Sequence, residues 1–417
     1  MSYVILNSIN ETARDDPGRR SRRYMTSSKS LLRYVKKMND GRQELLAEEG
    51  AFLDLAQLLI DRGVKRVFLI SGKQTQKLKL YDSFVEKLQR SGTRCFVWAK
   101  VDKAAENSVI ETCATECATY NCEAIVAFGG GAVIDVAKMV AVWLKNPEYS
   151  LYQMRGINRI PKKGLPLYVV STTCSGAESS ACSLVHNDNV ISLYYSKYLV
   201  PDVTVLDPDL VLRLPMEHMA SAAILALSHA VEAYISPMAV EFPADKANIQ
   251  IAIPIYFSYL EKSYKHGAGN DVFLQMMMAP YYTGVATRRI GFGPAHSLIM
   301  YVAEKYGEAP GRVASILLPA VLEYEFDEIK ENLAQLALAS HLCSARATTD
   351  EAARAFISGF KSLCRRVEMP SSLPFLKLED MGEIVRMAMY DAKLWSSPKK
   401  VNLKSGVSIL KRARYSE

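Results

Sequence analysis

No apolar run in this chain approaches the ~18 residues needed to cross a bilayer. No apolar stretch stands ahead of a cleavage site near the N-terminus, so no secretory signal is read. Asp15 and Asp16 also sit badly in an organelle transit peptide. CxxC pairs are missing. The eight cysteines (Cys95, Cys113, Cys117, Cys122, Cys174, Cys182, Cys343 and Cys364) are scattered, which points to reduced thiols and a cytoplasmic location. Cys113 and Cys117 share a helix face and Cys122 follows; that spacing admits zinc but suits buried thiols better. Internal repeats and low-complexity tracts are absent. Net positive charge is scarce outside one stretch: of the net +7, +6 lies in residues 1–42, centred on Arg19, Arg20, Arg22 and Arg23. No nucleic-acid signature accompanies it, so residues 1–44 read as a solvated or interface-covering arm. Neither a nucleic acid nor a membrane is expected as partner, and a homodimer is.

What is present describes an enzyme-sized globular chain. Its 417 residues, 49% of them hydrophobic, exceed one core and suggest two domains. The arm opens irregularly, with a turn at Asp15–Gly18 and a short basic helix over Ser30–Lys37. Helical spacing runs from Ala51 to Arg62 and stops at Gly63. Buried strands are predicted at Val67–Ile70, Cys95–Trp98, Ala124–Phe128 and Leu167–Val170, with helices between them. Alternating strands and helices imply a doubly wound parallel sheet, an α/β domain over residues 45–208. The loops after Ile70, Phe128 and Val170 should converge on one crevice at the strands' carboxyl ends. After Asp207–Pro208 the periodic segments are helical, including Met219–Ile235, Ala244–Tyr264, Val272–Thr287, Ala295–Tyr306 and Asp350–Arg366. Residues 209–417 are therefore expected to be all-helical.

The stretch Gly129–Gly130–Gly131–Ala132–Val133–Ile134–Asp135–Val136–Ala137–Lys138 joins a strand to a helix. Glycines let a ligand approach the backbone, and the helix N-terminus favours a diphosphate. Asp135 and Lys138 lie on one helix face. The stretch resembles the GGGSxxDxAK signature of the iron-dependent (group III) alcohol dehydrogenase family, departing from it at Ala132. Val203–Leu210 is similar to that family's segment between domains, Leu227–Tyr234 to its "LTHAxEAY" helix, and Ala392–Pro398 with the following helix to its C-terminal pattern. The resemblance implies a dinucleotide domain, a helical domain and an active site between them, as in the dehydroquinate synthase-like architecture.

It also implies a divalent metal held by one Asp and three His, acting as a Lewis acid on the alcohol oxygen. Here the chain departs. The first His matches His229, but the Asp position is Leu225. The second matches His296, while the third falls at Pro310, before Gly311. A further family His near the nicotinamide falls at Met300. Glu304 and Glu308 lie near the missing positions, and Glu232 follows His229 by three residues. A bound metal is not expected, since two imidazoles without a carboxylate hold Fe²⁺ or Zn²⁺ poorly. Metal-free reduction, as in the similar maleylacetate reductases, leaves His229 and His296 as the catalytic candidates, with acid and base roles unassigned.

The family's PTTAGTGSE reads Ser171–Thr172–Thr173–Cys174–Ser175–Gly176–Ala177–Glu178, one residue short. Thr172, Thr173 and Ser175 still offer hydroxyls to a coenzyme. The coenzyme set is completed by Gly72, Lys73, Gly129, Gly130, Gly131, Asp135 and Lys138. Gly72 replaces the Asp that would bond the ribose of NAD, and Lys73 follows, so NADP is preferred to NAD. The expected function is an NAD(P)-dependent alcohol or carbonyl oxidoreductase without the usual metal. The pocket is expected around Val185–Tyr195, Leu225 and Met300. Two other readings stand beside it: a catalytically silent nucleotide-binding homologue serving as partner or regulator, and a metal dehydrogenase with a relocated ligand.

Overall fold

The computed structural model describes residues 43–187, 190–265, 268–390 and 397–415. The turn and short helix expected within residues 1–42 lie outside the described residues, as does much of Ala392–Pro398. Gln43 and Glu44, read above as the end of the arm, belong to the fold: Gln43 is buried and Glu44 opens the first strand.

The α/β part runs β1 Glu44–Ala47, α1 Ala51–Asp61, β2 Arg66–Gly72, α2 Lys73–Lys77, α3 Asp82–Arg90, β3 Arg94–Val101, α4 Asn107–Thr119, β4 Ala124–Gly129 and α5 Gly131–Trp143. It continues with α6 Leu151–Met154, β5 Gly156–Ile157, β6 Leu167–Ser171, β7 Cys182–Asn187, β8 Val190–Tyr195 and β9 Val203–Leu206. Six strands form a parallel sheet in the order β1-β9-β6-β4-β2-β3. Its central strands are apolar on both faces because both faces are covered. Phe68, Ile70, Ile125 and Ala127 pack under α4 and α5. Val67, Leu69, Val126 and Phe128 pack under α1 and α3. Chain direction across the sheet reverses between β2 and β4, and that reversal places the ligand crevice beyond Gly72 and Gly129.

Two of the six strands were not among those predicted. β1 is four residues long, too short to show a pattern, and Val203–Leu206 lies in the segment similar to the family's connection between domains. A second sheet, β5-β8-β7, carries an antiparallel hairpin. The helical part comprises α7 Pro208–Val211, α8 Met216–Ile235, α9 Pro243–Tyr264, α10 Asn270–Ile290, α11 Pro294–Tyr306, α12 Pro310–Ala339, α13 Thr349–Arg366, α14 Leu378–Tyr390 and α15 Leu403–Tyr415. Among the described residues no helix is long and apolar enough to cross a membrane.

The two parts meet where the loop between β6 and β7 lies on α10. Ser179 donates through Oγ to the Tyr281 carbonyl (2.9 Å), and Arg288 Nε donates to the Ser179 carbonyl (2.6 Å). The approach is close enough to require Gly284, where a Cβ would stand 2.1 Å from Ser179 Oγ and 2.4 Å from the Gly176 carbonyl oxygen. Gly284→Ala is therefore expected to cost about 1–3 kcal/mol through overpacking. It should be read as a lower urea midpoint with an unchanged slope. A midpoint equal to the parent's would mean that loop and helix are not in contact.

Candidate active site

The glycine turn connects β4 to α5 at the reversal point of the sheet. Its first N–H groups have no intrahelical partners, as at any helix start, and they carry the positive end of the helix dipole. The second loop presses against this turn. A Cβ on Gly130 would lie 2.8 Å from Thr173 Cγ2, whereas above Gly131 the nearest atom, Ser175 Oγ, is 4.0 Å away. Thr172 N donates to the Gly129 carbonyl (3.1 Å), which fastens the two loops together. Thr173 Oγ1 is buried and has no hydrogen-bond partner among the described residues. A cradle with backbone donors, open space over one glycine and an orphaned hydroxyl fits a dinucleotide diphosphate. Gly72 ends β2 at the same edge, and Lys73 Nζ pairs with Asp102 at 2.8 Å on the surface.

Asp135 and Lys138 share a helix face as expected, but that face meets the β6–β7 loop and β7. Lys138 is fully buried. Its Nζ lies 2.7–3.0 Å from the carbonyls of Ala177, Ser180 and Cys182 and from Ser180 Oγ. With all three protons taken up this way, Lys138 positions the loop rather than reaching a phosphate. Burial lowers its pKa, with Cys182, Asp135 and Glu178 opposing. Asp135 faces Ser183 and the Leu184 N–H, and burial pushes its carboxyl up to about 6.

The two histidines come together. His229, in α8, and His296, in the first turn of α11, hydrogen-bond directly, Nε2 to Nδ1, at 2.8 Å. Phe292 stacks on the His296 ring (4.3 Å between centroids) and meets His229 edge-on (5.0 Å). His296 is 9% exposed, and burial drops its pKa to about 4. His229 keeps part of its surface open, yet burial, then the neighbouring ring, hold its pKa well below the ordinary value. Both rings are neutral near pH 7, so one N–H lies between them. Whichever ring donates it, the pair shows one N–H and one bare nitrogen on its outer sides. Glu232 fixes the geometry: its carboxyl accepts from the backbone N–H groups of Ala295 (2.6 Å) and His296 (2.9 Å), tying α8 to the start of α11. Burial pushes Glu232 up to about 8. Phe292 carried no sequence signal beyond its place between Gly291 and Gly293.

Leu225 lies one turn before His229 and is partly exposed, Met300 lies one turn after His296, and Pro310 opens α12. Glu304 is engaged by His186 Nδ1 of β7 at 2.7 Å, and Glu308 by Arg312 at 3.5 Å. Among the described residues no group of three or more His, Cys, Asp or Glu could hold a metal ion. The donor set of two mutually bonded imidazoles does not fit a divalent ion.

The family model "Iron-containing alcohol dehydrogenase" matches residues 43–208, and "Fe-containing alcohol dehydrogenase family, C-terminal" matches residues 219–414. The NAD-dependent methanol dehydrogenase of Bacillus methanolicus is 24% identical over 370 residues, covering 87% of this chain and 96% of that protein. The choline dehydrogenase of Bacillus subtilis is 24% identical over 374 residues, covering 87% and 91%. Among solved structures, a 1,3-propanediol oxidoreductase superposes with a TM-score of 0.84 at 24% identity, over 89% of this chain and 97% of that one. Maleylacetate reductase from Agrobacterium tumefaciens superposes with a TM-score of 0.73 at 17% identity, over 89% and 96%. With both halves matched across most of their length, the chain belongs to the iron-containing alcohol dehydrogenase family.

Proposed function

We propose that this protein is a nicotinamide-coenzyme-dependent oxidoreductase interconverting a small alcohol and its aldehyde or ketone, with the His229–His296 pair moving the proton and no divalent metal taking part. The observation that carries this reading is the direct bond between two neutral imidazoles. The Gly129–Gly131 turn and the start of α5 would hold the diphosphate, with Thr172, Thr173 and Ser175 offering hydroxyls. Gly72 and Lys73 would face the adenosine ribose. The absence of a carboxylate at Gly72 favours NADP, and its 2′-phosphate would compete with Asp102 for Lys73. The printed name of the B. methanolicus relative specifies NAD, and NAD remains the second choice.

When bound, the nicotinamide supplies the carbon that takes or gives the hydride. This chain supplies the proton path. His229, the more exposed ring, meets the hydroxyl. Its bare nitrogen takes the hydroxyl proton as the C–H bond breaks, the shared proton shifts along the bond to His296, and His296 releases one from its far side. In the reverse direction the same path delivers a proton to the carbonyl oxygen. Leu225, Met300 and Phe292 make an apolar lining suited to an uncharged substrate.

His229→Ala or His296→Ala is expected to lower turnover by about 10²–10⁴-fold. The coenzyme dissociation constant should stay within about threefold. Unchanged turnover in both variants would refute the assignment, and coenzyme binding without turnover over a broad panel of alcohols and aldehydes would favour a silent homologue. Turnover should also survive exhaustive chelation. Activity lost to chelator and restored by Fe²⁺ or Zn²⁺ would reinstate a metal. By NMR both imidazoles should stay neutral from about pH 8 down to about pH 5.5, because burial favours the uncharged ring. At these two rings the unfolded chain binds more protons than the folded one below about pH 6.5, so the pair's own contribution to stability, read as the difference between the parent and a His229→Ala/His296→Ala double variant, should fall as pH falls through that window. A ring titrating near 6.5 would contradict the buried pair.

A further inference from the structure

Beneath the second coenzyme loop lies a carboxyl group that neither the coenzyme cradle nor the histidine pair uses. Glu178 is fully buried. Its Oε2 lies 3.3 Å from Ser171 Oγ, and its Oε1 has no hydrogen-bond partner among the described residues. Ser171 Oγ also lies 3.0 Å from the Thr173 carbonyl oxygen. A serine hydroxyl has one proton to donate. If Glu178 were ionised, its Oε2 and the part-buried Thr173 carbonyl would compete for that proton, and where the carboxylate took it the Thr173 carbonyl would lose its donor. If Glu178 is a neutral acid, it donates to Ser171 Oγ and Ser171 donates to Thr173. Both contacts are then made, and the lone Oε1 is a carbonyl oxygen rather than half of a buried anion, which is less costly to leave unpaired.

Several groups face this carboxyl. Burial dominates and pushes Glu178 up to about 7, against its own N–H, the Ser171 hydroxyl, the Lys138 ammonium from α5 and the Gly176 N–H, all of which favour ionisation. Cys174 on the same loop and Tyr256 from α9 are themselves held protonated by burial, so neither adds a charge near neutral pH.

We propose that Glu178 is a positioning residue for the coenzyme loop: as a neutral acid it donates to Ser171, which releases the Ser171 proton to the Thr173 carbonyl and fixes the residues packed on Gly130. The proton is part of the loop's architecture. As pH rises and Glu178 loses it, the Thr173 carbonyl loses its donor and the loop loosens over the glycine turn. The effect on coenzyme rests on the function proposed above; the effect on the loop does not.

The test has two readouts, each taken from about pH 6 to about pH 8.5 on the full chain and on Glu178→Gln and Ser171→Ala. Amide hydrogen exchange of residues 172–177 in the coenzyme-free protein, corrected for the intrinsic rate, reads the loop. Titration with NADP and with NAD reads the coenzyme. The parent's protection and affinity are both expected to fall by about tenfold as pH rises, the effect of losing one buried hydrogen bond. Glu178→Gln, whose amide donates to Ser171 at every pH, should be flat at the parent's low-pH level. Ser171→Ala should be flat at the high-pH level. Titration of the coenzyme's own phosphate appears equally in all three proteins and cancels. A flat parent exchange profile, or a Glu178→Gln profile that follows the parent's, overturns the proposal. Should Glu178→Gln fail to fold, parallel pH profiles in the parent and Ser171→Ala overturn it equally. The expected exchange profile with neither coenzyme binding at any pH overturns the proposed function and the coenzyme half of this inference. Normal coenzyme binding over a flat exchange profile overturns the part given to Glu178 alone.

Discussion

Lys138 is a cation with no solvent around it, and the placement of the glycine turn and the loop packed on it follows from how its charge is satisfied. Burying an ammonium ion costs several kcal/mol unless its protons find good acceptors. All of the acceptors here come from residues 177–182, the stretch that leads from the second coenzyme loop into β7. The cation therefore clamps that stretch against α5, whose N-terminus is the glycine turn. On its other side the same stretch is held by α10, through Ser179 with Arg288 and Tyr281. Arg288 also reaches Gln43, which in turn donates to the Glu178 carbonyl (2.9 Å) and to Thr204 Oγ1 (2.7 Å). One short loop thus registers the glycine turn, the start of the sheet and the helical half on one another.

Much of this was legible in the residues, and what was not has physical reasons. Strands buried on both faces, such as Ala124–Gly129, announce themselves as continuous apolar runs, and the long helices show their spacing. A strand of four residues at the sheet edge, such as Glu44–Ala47, has no room for a pattern. At the site, the glycine turn and the two histidines could be placed because their spacing matches a known signature. The direction in which Lys138 points could not. Sharing a face with Asp135 follows from helical geometry, but whether that face meets a ligand or a neighbouring loop is decided by packing that the local sequence does not encode. The contact of Phe292 with His229 and the tie from Glu232 to the N-terminus of α11 are tertiary in the same sense, since each joins residues more than a helix apart.

The leucine at position 225 and the neutrality of the histidines belong together. A carboxylate one turn before His229 would supply an anion for a dication, and without the dication it would draw a proton onto the ring. Leu225 removes that anion and lowers the polarity around the ring, so desolvation acts unopposed and both imidazoles stay uncharged. Two uncharged rings can then lie within hydrogen-bond distance, which two imidazolium ions could not do without a counter-ion. Pro310 acts consistently. At the first position of α12 its missing N–H costs the helix nothing and its fixed φ suits the turn, so the position builds a helix start and offers no donor atom. Glu304 and Glu308 do not restore the anion, because each already has a partner in His186 or Arg312. What remains is an uncharged pair with a donor on one side and an acceptor on the other. That pair can pass a proton through without ever requiring both rings to carry charge at once.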